Sequence, residues 1–131
     1  MKVLVVDDDE LNRKILTSIL EDAKFEVVEA QDGVVALEQM EQHSDIQIIL
    51  LDRMMPRMNG MEFMEEFKKR PDWEGKKVIM QTAANQPKDV IEGNKTGVYY
   101  YLSKPFDDEI VMSVVRAACD DINKDKDLQT G

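Results

Sequence analysis

The chain has 131 residues, 43% of them hydrophobic, with 27 Asp and Glu against 17 Lys and Arg and a net charge of −10. That length suits one domain with a core that needs no disulfide or metal, and a single Cys excludes an intramolecular disulfide. The charge argues against a nucleic-acid surface. No apolar run approaches the ~20 residues of a membrane span, and the apolar N-terminal stretch is too short for a secretory signal. The expectation is an acidic cytoplasmic domain.

Val3 to Val6 is a short continuous apolar run, as a strand buried on both faces should be. Leu11, Ile15, Leu16, Ile19 and Leu20 follow at helical spacing and form one apolar stripe. Asp9 is placed to cap that helix. Phe25 to Ala30 is a second strand. Asp32 caps a second helix lined by Ala36, Leu37 and Met40, and Ile46 to Leu51 is a third strand.

The rhythm then repeats. Asn59 caps a third helix carrying Met61, Met64 and Phe67, and residues 70–77, with Pro71 and Gly75, read as a loop. Val78 to Met80 is a fourth strand. A fourth helix starts at Pro87 with Val90 and Ile91, although Gly93 inside it costs ~1 kcal/mol relative to Ala. Val98 to Leu102 is a fifth strand. Asp107 caps a fifth helix with a stripe of Ile110, Val111, Val114, Val115, Ala118, Cys119 and Ile122. The expected domain is 1–122. Residues 123–131 are polar and read as a frayed end or the start of a linker.

Five strands alternating with five helices imply an α/β fold, a mostly parallel sheet with helices on both faces. In such sheets ligands bind at the carboxyl ends of the strands. Strand one ends in Asp7-Asp8-Asp9, strand three in Asp52, strand four in Thr82, and strand five in Ser103-Lys104-Pro105. Converging carboxylates need a compensating cation, and an oxygen-only donor set favours Mg²⁺ over zinc. Lys104 adds a positive charge suited to a phosphate oxygen and Thr82 a hydroxyl donor. These are the parts of a phosphoryl-transfer site.

The strings VVDDDELNRKIL (5–16), IILLDRMMPRMNG (48–60), VIMQTAAN (78–85) and YYYLSKPF (99–106) together resemble the receiver domain of two-component response regulators, of the chemotaxis-receiver kind. The resemblance covers about residues 2–122. It implies a flavodoxin-like sandwich with strand order 2-1-3-4-5, as a stand-alone protein or an N-terminal module. Asp52 would be the phosphoacceptor, taking a phosphoryl group from a histidine kinase or phosphotransfer protein. Asp7, Asp8, Asp52 and the Met54 backbone carbonyl would ligate Mg²⁺, for which Mn²⁺ can substitute. Lys104 would pair with a phosphoryl oxygen, and Thr82 and the Ala83 backbone N–H would bind others. Tyr101 would be the switch aromatic, and Lys104-Pro105 a cis peptide. The fourth helix, fifth strand and fifth helix would form the output face toward a downstream protein or effector domain, as a monomer or a phosphorylation-dependent dimer. The resemblance implies a switch rather than a turnover enzyme, one that catalyses only its own phosphotransfer and autodephosphorylation. Any effector would be another protein or lie beyond Gly131.

Other residues carry plainer readings. Strand alternation puts Tyr99 and Tyr101 on one face and Tyr100 on the other. Asn12, Arg13 and Lys14 have two readings, a partner-facing patch or an ordinary solvated helix face. The cluster Met54, Met55, Met58, Met61 and Met64 reads as packing and loop filling, although Met54 would also overlie the site entrance. His43 has no catalytic reading, and Cys119 belongs to the core. A rival reading, a phosphatase with Asp7 as nucleophile, meets Leu11 where the dehalogenase-like signature needs Thr or Val. A degenerate receiver would have lost the acceptor, an acidic residue or the lysine. A flavin site lacks its phosphate loop.

Overall fold

The computed structural model describes residues 1–83, 97–104 and 107–130. The fourth helix expected from Pro87, and the Lys104-Pro105 peptide bond, lie outside them. The strands are β1 (Lys2–Val6), β2 (Glu26–Ala30), β3 (Ile46–Asp52), β4 (Lys77–Ala83) and β5 (Tyr100–Lys104). The helices are α1 (Glu10–Asp22), α2 (Gly33–Gln42), α3 (Gly60–Lys68) and α4 (Asp108–Thr130), the C-terminal helix, with a 3-10 turn at Pro71–Trp73. The five strands form one sheet in the order β2-β1-β3-β4-β5, every neighbouring pair parallel. The expected order and fold class are therefore observed.

Side-chain alternation splits the core into two layers. Leu4, Val6, Ile49, Leu51, Val78 and Met80 face α2 and α3, where they meet Ala36, Met40, Phe63, Met64 and Phe67. Val3, Val5, Ile48, Leu50, Ile79 and Leu102 face α1 and α4, where they meet Leu16, Leu20, Val111, Val115 and Ala118. The register slips between Lys2 and Val3, so Gln47 is left out of the pairing and Ile46 turns to the α2 and α3 side.

The helix starts follow local chemistry. Asp9 accepts from Leu11 and Asn12 N–H, and Asp32 accepts from Val35 N–H. Asn59 and Glu62 form a capping box, each side chain accepting from the other's backbone N–H. The C-terminal helix continues through Thr130, and Ile122 is its last buried position among the described side chains.

Several expectations need correction. Leu11 and Ile15 are exposed although they share the α1 stripe, and so is Ile110 at the start of α4. Each lies in the first two turns of a helix, so the periodicity is real, but among the described residues none of the three joins either core layer. The buried face of α1 is instead Leu16, Thr17 and Leu20. Strand β5 begins at Tyr100, two residues late, because Gly97 takes φ +83° and the chain turns before it pairs. Tyr99 precedes the pleated segment and packs on the α1 and α4 layer, whereas Tyr101 packs on the other. The two tyrosines therefore do not share a face. The 70–77 loop contains the 3-10 turn, which buries Trp73 beside Phe67 and under the Arg70 guanidinium.

Candidate functional site

The parallel register brings the strand ends together. Val6 pairs with Leu51, so Asp7 follows one strand where Asp52 ends the next, and Asp52 itself pairs with Gln81. Thr82 pairs with Ser103 and Ala83 with Lys104, which sets Thr82 and Lys104 on the strands beyond. Asp7, Asp52 and Thr82 are buried, and Asp8 is exposed at the mouth.

One carboxylate oxygen from each of Asp7, Asp8 and Asp52 lies within 4.8 Å of the others. All three donors are hard oxygens, and no His or Cys joins the group. That donor set fits Mg²⁺ or Mn²⁺ and not a soft metal. Two of the three carboxylates are shut away from water, so their mutual repulsion is poorly screened without a cation.

The surroundings partly answer that charge. Lys104 Nζ lies 3.5 Å from Asp52 Oδ1, and Met54 N–H donates to the same oxygen at 3.4 Å. The lysine side chain is 39% exposed while that of Asp52 is 10% exposed, so the cation sits at the rim and the carboxylate below it. Burial pushes the Asp52 carboxyl up from 3.8 to about 6, and the neighbouring Asp7 pushes the same way. Lys104 and the Met54 N–H pull it down without winning.

Asp7 is held on every side. Its Oδ1 accepts from Asp9 N–H at 2.9 Å and its Oδ2 from the Asn12 amide. Arg13 Nη1 donates to its backbone carbonyl at 2.7 Å and Nε to Glu29 at 3.0 Å. Asn12 and Arg13 thus turn toward the site, while Lys14 reaches Glu29 from the solvent side. Asn12 and Gln81 are the pair that sequence reasoning missed. The available signal was Gln81 itself, a polar residue inside the buried run Val78 to Thr82.

The loop after β3 is braced from below. A Cβ at Gly60 would lie 2.8 Å from the Asp52 carbonyl oxygen and 2.9 Å from Arg53 Cα, so only glycine lets α3 start this close to the site. Gly60 N–H donates to Arg53 O, and Gly33 N–H to Met58 O. Arg57, at φ +63°, donates from Nε and Nη2 to buried Asp32. Burial would raise the Asp32 carboxyl, but the Val35 N–H and Arg57 together hold it below the usual carboxylate range. Met54 is exposed over this loop. His43 ends α2 and precedes the amino end of β3, the strand whose carboxyl end is Asp52, and Cys119 is partly buried on α4.

No helix among the described residues is long and apolar enough to cross a membrane. The family model for the response regulator receiver domain matches residues 3–116. A chemotaxis protein CheY homolog of Campylobacter jejuni is 33% identical over 112 residues, 85% of this chain and 86% of the relative. The transcriptional regulatory protein CpxR of Escherichia coli is 35% identical over 116 residues, 88% of this chain but 48% of that longer protein. Among solved structures, chemotaxis protein CheY4 of Vibrio cholerae superposes with a TM-score of 0.83 at 31% identity, covering 89% of this chain and 97% of the other.

Proposed function

Because the chain belongs to the response regulator receiver domain family, we propose that it is a phosphorylation-activated switch with Asp52 as its acceptor. The carrying observation is the placement of Asp52, buried at the carboxyl edge of the sheet with Asp7 beside it and Lys104 at 3.5 Å.

Asp52 Oδ attacks the phosphorus of a phosphohistidine on a sensor kinase or phosphotransfer protein. A P–O bond forms, the P–N bond breaks, and the imidazole leaves with the bonding pair. Asp7, Asp8, Asp52 and the Met54 carbonyl would hold Mg²⁺, or Mn²⁺ in its place. When bound, the ion supplies positive charge against the phosphoryl oxygens. Lys104 exchanges its contact with the Asp52 carboxylate for one with a phosphoryl oxygen, offsetting charge spread in the transition state. The Thr82 hydroxyl and the Ala83 N–H then donate to the new oxygens.

Those donations exist only in the phosphorylated chain, so they bias a two-state equilibrium. Tyr101 reads the movement of Thr82 from the adjacent strand. The output face combines the segment between β4 and β5, strand β5 and the C-terminal helix, and it engages a downstream protein or effector domain. Met54 places a flexible apolar side chain at the entrance, with no charge or amide to orient a hydrolytic water.

Incubation with Mg²⁺ and a small acyl-phosphate donor tests this reading. Intact-mass analysis should show one added phosphoryl group, lost in Asp52→Ala and without Mg²⁺. An adduct that persists in Asp52→Ala overturns the assignment.

A further inference from the structure

We propose that Asn12 is a positioning residue for the acidic pocket and that Gln81 holds it in place. The inference rests on the metal-binding reading of Asp7, Asp8 and Asp52. Asn12 Nδ2 donates to Asp7 Oδ2, and the same nitrogen donates to Gln81 Oε1 at 3.3 Å. The contact joins the first turn of α1 to the end of β4, 69 residues away. Gln81 pairs in register with Asp52. The three side chains Asp7, Asn12 and Gln81 therefore form an arch across the phosphoacceptor strand.

The atom assignments follow from chemistry. Asp7 Oδ2 accepts from the Asn12 amide, so it is the nitrogen of that amide that faces Asp7. That nitrogen then requires an acceptor from Gln81, which turns its Oε1 inward and leaves Nε2 without a partner among the described residues. Gln81 is 0% exposed. Its same-face neighbours Ile79 and Leu102 are apolar core residues. An apolar side chain would satisfy that packing and strand no amide. The glutamine is thus unfavourable to the fold and is explained by what it holds.

The consequence for Asp7 is geometric. With Oδ1 bonded to the Asp9 N–H and Oδ2 to Asn12, its carboxylate cannot rotate. Each oxygen keeps a free lone pair for the cluster with Asp8 and Asp52. Partners that orient a ligating carboxylate in this way tune metal affinity without touching the ion.

The test is calorimetric titration of Mg²⁺ alone into the wild type, Asn12→Leu, Gln81→Met and the double variant, with thermal denaturation of each in a chelator. Asn12→Leu should weaken Mg²⁺ binding roughly tenfold. Gln81→Met should weaken it roughly threefold while its metal-free melting temperature stays level or rises. The double variant should bind no more weakly than Asn12→Leu alone, because Gln81 acts through Asn12. A wild type with no Mg²⁺ isotherm overturns the metal reading and this inference with it. A wild-type isotherm that Asn12→Leu reproduces within roughly twofold overturns the inference alone, since a removed ligand-orienting bond predicts a larger loss. A Gln81→Met chain that loses stability overturns the role given to Gln81, as would additive losses in the double variant.

Discussion

Replacing Asp52 by Asn should stabilise the metal-free protein, and the gain should depend on pH. Burial, then the Asp7 charge, lift the Asp52 carboxyl from 3.8 to about 6. A shift of that size corresponds to about 3 kcal/mol between the two protonation states. A carboxyl whose folded pKa is raised binds its proton more tightly in the folded chain. Its contribution is therefore fully present below about pH 4 and is lost as the pH rises through about 6. At pH 8 the metal-free wild type carries a penalty of about 3 kcal/mol, and at pH 5 about half of that. Asp52→Asn keeps the shape and removes the charge. Lys104 loses its partner, but its side chain is 39% exposed and that loss is worth well under about 1 kcal/mol. Urea denaturation in a chelator, followed through the buried Trp73, should show the variant more stable by about 3 kcal/mol at pH 8 and by about half that at pH 5. Added Mg²⁺ should then raise the midpoint of the wild type and not of the variant. A stability gap that does not change with pH, or a variant that is less stable at pH 8, would refute the reasoning.

Other perturbations separate the parts of the account. Gly60→Ala places a Cβ 2.8 Å from the Asp52 carbonyl oxygen, and this backbone contact cannot relax as a side chain would. A loss of about 1–3 kcal/mol in denaturant titrations is expected. Asp32→Ala removes the α2 cap and strands Arg57, which should cost about 1–2 kcal/mol at pH 7. Because Asp32 is held below its ordinary value, its contribution is present above about pH 4 and fades as the pH falls further, so the deficit should shrink on acidification. Thr82→Val keeps the volume and deletes the hydroxyl. It should still accept a phosphoryl group while the Tyr101 ring resonances no longer shift on phosphorylation; an unchanged Tyr101 response would remove Thr82 from the switch.

The strand ends were legible in the sequence because polar residues interrupt continuous apolar runs. Asp7 after Val3 to Val6 and Asp52 after Ile48 to Leu51 needed no structure to be noticed. Their meeting is a consequence of parallel register, which sequence pattern alone does not set. Burial at the helix ends was less legible. Leu11, Ile15 and Ile110 obey helical periodicity, but periodicity reports a face and not how much of that face is covered. Met112, Phe63 and Trp73 enter the core because neighbouring elements happen to cover them. The tyrosine faces were misread since alternation holds only inside a pleated segment, and Tyr99 lies one residue before it. The Asn12 to Gln81 contact spans 69 residues and leaves a single mark in the sequence, a glutamine in a buried strand.

The central claim is that Asp52 carries the phosphoryl group. Borohydride reduction of the phosphorylated chain converts an aspartyl phosphate to homoserine, and peptide mapping locates that residue. The account predicts one modified position, Asp52, formed only when Mg²⁺ or Mn²⁺ is supplied. Homoserine at Asp7, Asp8 or any other position with Asp52 intact would contradict it.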